Sequence, residues 1–356
     1  MRAIRIGERW IGDGHPPYFV ADIAANHDGS LERAFRLIDL AAEAGAHAAK
    51  FQNFQAPKIV SRRGFEALGG QRGHQAGWPK PVFDTYRDAS LPQAWTARLR
   101  ERCERAGLEY FTSPYDLASV DHVDPFVRVY KIGSGDIDWP EIVDHIAAKG
   151  KPVMLATGAS TLDDVRRAMA VLQARTRDIV LMQCNTSYTG SPDNFDHINL
   201  RVLPAYAAEF PDVVLGLSDH TPGHATVLGA LALGARVFEK HFTDDNSRAG
   251  PDHGFAMNPR TWREMVDRAG ELHRALGDGA KRIQDNEQET AMLQRRCLRY
   301  TASLPRGTRL QREHLFPLRP AVADGFAPHR LDEVIGAVLA RDVVEEDPLR
   351  TEDLVR

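Results

Sequence analysis

Two histidines in this chain, His220 and His241, each follow a short apolar run of the kind that forms a buried strand. Each also lies within two residues of a carboxylate, Asp219 or Glu239. If the two runs are neighbouring strands, both rings can reach one open Mn²⁺, Mg²⁺ or Fe²⁺ site, with water and substrate oxygens as the other ligands. The alternatives are that each ring only satisfies a local hydrogen bond, or that the carboxylates orient the rings from behind. The paired placement predicts a metal site.

Two lysines, Lys50 and Lys131, interrupt otherwise apolar runs. They are candidates for binding a phosphate or a carboxylate, although ion pairs in the wall of a barrel are an alternative. Two turns of small residues, 133–135 and 157–159, would let backbone amides approach the same anion closely. Lysines and turns together predict a phosphate pocket.

A further turn, Gly-Pro-Asp-His at residues 250–253, follows the run that ends at His241. This composition is typical of a plain surface turn. Its position close to the predicted metal histidines favours a catalytic role for Asp252.

The elements that must position these residues alternate between short apolar runs and amphipathic segments, which indicates βα units with a parallel sheet. A helix is predicted over residues 31–44, capped by Ser30, and another begins near Leu162, capped by Ser160, with Val165, Met169 and Leu172 on the same face. The eight predicted strands are residues 18–23, 48–52, 109–112, 129–132, 152–156, 179–183, 213–217 and 237–240.

Eight such units predict an α/β fold, a (β/α)₈ barrel, although a doubly wound sheet has the same local pattern. Polar or ionisable residues follow every predicted strand, and that is where barrel enzymes carry their chemistry. The long segment 56–91 is predicted to be a lid or binding loop. We expect a barrel domain over residues 1–280, a linker over 281–294, and a small β-rich domain over 295–356.

Composition limits the possible functions. The chain has 356 residues, 43% of them hydrophobic, with a formal net charge of −4 and three widely spaced cysteines. No apolar run approaches the roughly 18 residues of a membrane span, and the first residues do not have the pattern of a secretory signal. We therefore expect a cytoplasmic protein without disulfides that binds neither membranes nor nucleic acid.

The strings that follow the predicted strands resemble those of the N-acetylneuraminate (sialic acid) synthase family. They are Asn26-His27 with Gly29-Ser30, Lys50-Phe51-Gln52, the run from Lys131 to Asp136, the run from Gly216 to Thr221, and the run from Glu239 to Asp244. The resemblance covers nearly the whole chain. It includes residues 295–356, where Arg295-Arg296 and Leu318-Arg319-Pro320 are similar to the antifreeze-like SAF module.

The resemblance implies a metal-dependent condensation of phosphoenolpyruvate with the open-chain aldehyde of N-acetylmannosamine or a related amino sugar. His220 and His241 would hold Mn²⁺ or Mg²⁺, and Arg319 would reach into the barrel of a partner subunit in a domain-swapped homodimer. The residues expected to bind phosphoenolpyruvate are Lys50, Lys131, Ser134, Asn185 and Ser218. The other residues expected to be catalytic or to face the sugar are Asp22, Gln52, Asp136, Tyr188, Glu239 and Asp252.

This chain departs from the family pattern mainly at positions expected to face the sugar. The family usually has Glu at the position of Asp22 and often at that of Asp136, and the segment around His74 does not match well. The reaction type is therefore better indicated than the sugar. Two other functions remain open at this point, namely a synthase that makes a keto-acid from a sugar phosphate and a non-catalytic carbohydrate-binding protein.

Overall fold

A computed structural model describes residues 2–355, which form two compact units that divide between Gly277 and Asp278. The first unit begins with an antiparallel hairpin of β1 (Ala3–Ile6) and β2 (Arg9–Gly12), which the sequence analysis did not predict. Across the described residues, the structure contains no helix that is both long enough and apolar enough to cross a membrane.

Eight parallel strands of the first unit close into a barrel in the order β10-β3-β4-β5-β6-β7-β8-β9, which confirms the predicted fold. All eight lie within two residues of their predicted bounds. Their apolar residues are almost entirely buried, as expected of parallel strands covered by helices on the outside. The strands are β3 (Tyr18–Asp22), β4 (Ala48–Asn53), β5 (Glu109–Pro114), β6 (Tyr130–Ile132), β7 (Val153–Ala156), β8 (Ile179–Cys184), β9 (Val214–Asp219) and β10 (Val237–His241).

Helices connect each barrel strand to the next, as the alternating pattern predicted. Helix α1 begins after Ser30, whose hydroxyl accepts a hydrogen bond from the amide of Arg33, as predicted. The helices of this unit are α1 (Leu31–Glu43), α2 (Ala56–Ile59), α3 (Arg62–Ala67), α4 (Val82–Ala89), α5 (Thr96–Arg105), α6 (Leu117–Val123), α7 (Pro140–Ala147), α8 (Leu162–Gln173), α9 (Val202–Glu209), α10 (Ala225–Ala232) and α11 (Pro259–Leu276).

The start of α8 differs from the prediction. Its N-cap is Thr161 and not Ser160, because Thr161 and Asp164 exchange side-chain and backbone hydrogen bonds in a capping box. The hydroxyl of Ser160 donates to the carbonyl of Gly158 instead. Leu162, predicted to lie on the buried face, is 41% exposed, whereas Val165 is fully buried.

The segment 56–91 is structured along much of its length. It contains α2, α3 and α4 and a 3₁₀ turn at Gly73–Gly77. Its side chains also line the cavity described below, and a role as a lid or binding loop stays a prediction.

The second unit has its own apolar core. It contains α12 (Gln288–Gln294), the antiparallel pair β11 (Cys297–Tyr300) and β12 (Leu315–Leu318), and α13 (Leu331–Val334). Residues 281–294, expected to be a linker, group with this unit, as do residues 278–280, which were expected to belong to the barrel domain. One reason is that the amide of Ala321 donates to the carbonyl of Met292. The core residues are Leu298, Tyr300, Leu310, Leu315, Phe326, Val334, Leu339, Val343 and Leu349.

Candidate active site

A cavity of about 380 Å³ lies at the carboxyl-terminal ends of the barrel strands. This volume is within the range of roughly 300–1,000 Å³ that is usual for small-molecule sites. The residues predicted from the sequence converge here, with the exception of Asn185 and Arg319. Those that line the cavity are Asp22, Lys50, Gln52, Lys131, Ser134, Asp136, Tyr188, Ser218, His220, Glu239, His241 and Asp252.

Strand register brings the charged side chains of the buried end together. Asp22 is paired with Lys50 across β3 and β4, and Glu239 is paired with Ser218 across β10 and β9. The Lys50 Nζ lies 2.6 Å from Asp22 Oδ2 and the Lys131 Nζ lies 2.9 Å from Glu239 Oε1. The Ser218 hydroxyl donates to the same Glu239 oxygen over 3.2 Å. The ion pairs considered as an alternative are therefore present, but they line the cavity.

These contacts favour the charged forms of Glu239 and Lys50, whereas burial outweighs the lysines at Asp22 and raises its pKa. Burial alone would raise the pKa of Glu239, but Lys131 and Lys50 outweigh burial and lower this pKa to about 2. Burial alone would lower the pKa of Lys50, but Asp22 and Glu239 outweigh it, so this pKa is raised. The buried end of the cavity therefore presents two ammonium groups to an incoming anion.

The two histidines face each other across β9 and β10 with ring centroids 5.4 Å apart. The His220 Nδ1–H donates to the carbonyl oxygen of Asn185 over 2.7 Å. Since a carbonyl only accepts, the Nε2 of His220 keeps its lone pair. In the described chain, the Nδ1 of His241 is buried without a hydrogen-bond partner. Two carboxylates lie near the ring of His241. Asp22 Oδ2 is 3.6 Å from its Nε2, and Asp252 Oδ2 is 3.7 Å from its Nδ1.

Both rings are neutral near pH 7. Burial, and to a smaller extent the neighbouring His241, lowers the pKa of His220 to about 3. Burial also lowers the pKa of His241 to about 4. Neutral imidazole is the form that binds metals. The described residues contain no cluster of three or more metal-binding side chains, so the two histidines could offer a metal ion two nitrogen ligands at most.

The carboxylates beside the histidines do not orient the rings. Successive residues of a strand point to opposite faces, so Asp219 points away from His220. Asp219 pairs with Lys240 outside the barrel and accepts a hydrogen bond from Thr226 over 2.6 Å. Glu239 contacts the lysines. The carbonyl of Asn185 performs the orienting role considered for these carboxylates.

In the turn at residues 157–159, the amide of Gly158 is already occupied. The amide of Gly158 donates to the hydroxyl of Ser134 over 2.9 Å. A Cβ on Gly158 would lie 2.5 Å from a methyl carbon of Thr186, so close packing requires glycine there. This hydrogen bond joins the two turns, and Gly133, Ser134 and Gly135 of the first turn line the cavity, so anion binding by that turn stays a prediction.

The residues predicted to face the sugar lie around the rest of the cavity. Gln52 donates to Asp22 over 3.1 Å, and Asp252 accepts from the amide of Ala25 over 3.1 Å. The ring of Tyr188 lies 4.2 Å from that of His220. Burial, followed by the charge of Asp138, raises the pKa of Asp136 to about 7. Asp136 therefore changes protonation near neutral pH.

Two predicted residues do not line this cavity. The side chain of Asn185 donates to the carbonyl of His197 over 3.2 Å, and only its backbone contacts a site residue. Arg319 follows β12 in the second unit. The cavity is also lined by Tyr86, Tyr115 and Trp78, which lie outside the predicted set. Tyr115 directly follows β5, and this position at a strand end could have identified it as a site residue. Tyr86 and Trp78 lie in segment 56–91, where no sequence pattern pointed to the cavity.

Comparisons with known proteins agree with this geometry. A family model described as the NeuB family matches residues 37–281, and a SAF-domain model matches residues 295–355. The N,N'-diacetyllegionaminic acid synthase of Campylobacter jejuni is 30% identical over 344 residues, covering 93% of this chain and 98% of that protein. The human N-acetylneuraminate-9-phosphate synthase is 28% identical over 345 residues, covering 97% of this chain and 94% of the human protein.

A solved structure is also similar. It is the N-acetylneuraminic acid (sialic acid) synthetase of Leptospira borgpetersenii in complex with citrate, which aligns with a TM-score of 0.71 at 27% identity. The alignment covers 81% of this chain and 95% of that one.

Proposed function

This chain belongs to the NeuB family, carries a C-terminal SAF domain and is a synthase-type enzyme, and we propose that it condenses phosphoenolpyruvate with the aldehyde of an N-acetylated hexose. The products are a nonulosonic acid and phosphate. The observation that carries this proposal is the joint placement of two neutral histidines and two buried ammonium groups in one cavity. Such a cavity can bind an anion beside an aldehyde.

The anionic ligand binds at the buried end. Lys50 and Lys131 each carry three N–H donors. They can therefore contact the carboxylate and phosphate of phosphoenolpyruvate while keeping Asp22 and Glu239 as partners. The hydroxyls of Ser134 and Ser218 line the same region. Glu239 serves to hold the lysines in place.

The histidines fit a divalent cation. His220 and His241 are neutral, and the unpartnered Nδ1 of His241 is the kind of buried atom that a ligand satisfies. They would hold Mn²⁺ or Mg²⁺, which when bound polarises the aldehyde oxygen as a Lewis acid. We place no other protein side chain on the metal.

The bond changes then follow from the chemistry of phosphoenolpyruvate. Its C3 forms a carbon–carbon bond to the aldehyde carbon, the oxygen of a water adds at C2, and phosphate leaves by cleavage of its bond to C2. The carboxylate of Asp136 is suited to take the proton of that water because its pKa is about 7. Gln52, Tyr188 and Asp252 are placed to bind the hydroxyls of the sugar.

We further propose that Arg319 of one subunit completes the cavity of another in a homodimer. This part of the proposal comes from the family resemblance and from the position of Arg319, which lies outside the barrel unit. It predicts that neither unit alone is fully active.

A substrate panel tests the function. The purified enzyme with Mn²⁺ should release inorganic phosphate from phosphoenolpyruvate in the presence of N-acetylmannosamine or a di-N-acetylated hexose. Activity with arabinose 5-phosphate alone would instead identify a sugar-phosphate synthase. Sugar binding without consumption of phosphoenolpyruvate would identify a carbohydrate-binding protein.

A further inference from the structure

Two loops meet where the barrel closes between β3 and β10. The first loop, residues 23–30, connects β3 to α1, and the last loop, residues 242–258, connects β10 to α11. They are joined at the edge of the cavity, because the amide of Ala25 donates to Asp252 Oδ2 over 3.1 Å. The same carboxylate lies 3.7 Å from the Nδ1 of His241. The position of Asp252 therefore depends on how firmly the two loops are held together.

The first loop needs contacts from outside itself to keep its shape. Ala24 has a φ of 44° and Asp28 has a φ of 50°. Both values lie in the left-handed region, which is unfavourable for residues with a Cβ, and alanine has no polar side chain to compensate. These two residues flank Ala25 along the chain. A relaxation of the loop would therefore move the amide that donates to Asp252.

His253 supplies such a contact from the last loop. Its Nε2 lies 2.9 Å from Asp28 Oδ1, and its Nδ1 lies 2.7 Å from the hydroxyl oxygen of Thr243. Burial alone would raise the pKa of Asp28, but its hydrogen bonds with His253 and Arg248 outweigh burial and lower this pKa. Since an ionised carboxylate only accepts, the Nε2–H of His253 donates to Asp28. The imidazole thus connects the two loops.

Packing also fixes the imidazole of His253. The residue is fully buried, and a Cβ on Gly250 would lie 2.6 Å from its Cδ2. Glycine at position 250 therefore lets the chain pass close to the ring. The carbonyl of His253 accepts a hydrogen bond from the side chain of Asn246 over 2.8 Å. The residue that follows Asp252 is thus held through both its ring and its backbone.

An acid, an imidazole and a hydroxyl in a row, as in Asp28, His253 and Thr243, also occur in enzymes that activate the hydroxyl as a nucleophile. That role requires the hydroxyl to reach a substrate. Thr243 and His253 are fully buried, and none of the three is among the described residues that line the cavity. The row therefore holds the loops together and does not attack a substrate.

We propose that His253 is a positioning residue that acts through Asp252. By binding Asp28 it holds the first loop against the last loop, and this keeps the carboxylate of Asp252 on the amide of Ala25. The bond to Thr243 lies within the last loop, so the bond to Asp28 is the one that joins the loops. The effect on catalysis rests on the proposed function, in which Asp252 binds the hydroxyls of the sugar.

Two substitutions separate the two bonds of the imidazole. Glutamine places an N–H close to the position of Nε2 and can still donate to Asp28. Asparagine is shorter by one carbon–carbon bond, about 1.5 Å, so it reaches Thr243 but not Asp28. For the aldose that the wild-type enzyme uses best, His253→Asn should raise KM at least roughly tenfold and change kcat and the KM for phosphoenolpyruvate little. His253→Gln should keep this KM within about threefold of the wild type.

A second measurement is independent of activity. Hydrogen exchange of the intact enzyme, followed by mass spectrometry, reports on the amide of Ala25, because its bond to Asp252 slows exchange. In His253→Asn, peptides from residues 23–30 should exchange at least roughly tenfold faster than in the wild-type enzyme, whereas peptides from β6 should be unchanged. His253→Gln should exchange like the wild type.

Arg248→Met is the matched control. Arg248 also reaches Asp28 from the last loop, with its Nη2 2.7 Å from Oδ2, but its side chain is 42% exposed. Solvent screens such a pair, so this substitution should leave both the exchange of residues 23–30 and the KM for the aldose within about twofold of the wild type.

Unchanged exchange or an unchanged KM in His253→Asn would overturn the inference, as would equal effects of His253→Asn and either His253→Gln or Arg248→Met. If His253→Asn does not fold, Asp28→Gly takes its place, because glycine favours the backbone conformation at that position and only the carboxylate is lost. Unchanged exchange in that variant would equally overturn the inference. If the wild-type enzyme consumes no phosphoenolpyruvate, only the proposed function fails, because the exchange experiment uses no substrate.

Discussion

At the scale of single residues, the site depends on which nitrogen of His220 is free. The carbonyl of Asn185 can only accept a hydrogen bond, so it fixes the proton on Nδ1 and directs the lone pair of Nε2 into the cavity. Asparagine at position 185 is not required for this, because the contact uses the backbone. A substitution of Asn185 should therefore disturb the site much less than a substitution of His220.

Replacing His220 tests the metal assignment directly. His220→Ala should lower metal-dependent turnover by at least roughly 100-fold, because one of the two nitrogen ligands is lost. Calorimetric titration with Mn²⁺ should show a matching loss of affinity. The control is His145→Ala, at a histidine that pairs with Asp121 on the outside of the barrel. Full activity of the EDTA-treated His220→Ala enzyme would refute the assignment.

The acidity of Asp136 predicts a pH dependence. If its carboxylate takes a proton from water, kcat/KM should rise with pH and level off above about 7, where the group is ionised. The negative charge of Asp138 contributes to the raised pKa, so Asp138→Asn should move the inflection to lower pH without abolishing activity. A rate that falls as pH rises through 7, or an inflection that Asp138→Asn leaves in place, would contradict this role.

At the scale of elements, an ion pair links β9 and β10 on the face that points away from the cavity, next to the two histidines. Lys240 is in register with Asp219, and its ammonium group contacts both that carboxylate and the carbonyl of Thr221. This buried ion pair joins the two strands at Asp219 and Lys240, the residues that directly precede His220 and His241. The separation of the rings therefore depends on residues that never face the cavity.

Breaking this pair should destabilise the barrel. Lys240→Met leaves Asp219 buried without its partner, and we expect a loss of about 3–5 kcal/mol in the free energy of unfolding, measured with denaturant. Removing the charge of both partners, as in Asp219→Asn with Lys240→Met, should recover part of this loss. Lys149→Met, which breaks a pair with the exposed Asp121, should cost much less, because solvent screens that pair. Equal losses in the two lysine variants would contradict the argument.

Much of this architecture follows from local sequence patterns. Buried parallel strands are continuous apolar runs, so their bounds can be predicted, and the residues that follow them must converge once the barrel closes. Contacts made through space are not encoded in such patterns. The pairing of Ser134 with Gly158, the ion pair of Asp219 with Lys240, and the folding of segment 56–91 over the cavity all depend on tertiary packing.

At the scale of the whole molecule, the proposed role of Arg319 predicts complementation between subunits. Deleting residues 295–356 should leave a folded barrel of low activity, because the first unit has its own core. Mixing Arg319→Ala subunits with Lys131→Ala subunits should restore part of the activity, since one composite site per mixed dimer is then intact. A monomer by light scattering, or no restoration after subunit exchange, would rule out the arrangement in trans.

The closure of the barrel between β3 and β10 also has a consequence for biosynthesis. Asp22 and His241 are register partners, yet one lies near the start of the barrel sequence and the other near its end. During translation the ribosome must deliver all eight strands before this last pairing can form, and such distant contacts form slowly. The cavity is therefore completed late, and nascent chains that end before β10 contain His220 but not His241. Active enzyme should therefore appear only after the ribosome has released the whole barrel, even if the first helices form earlier.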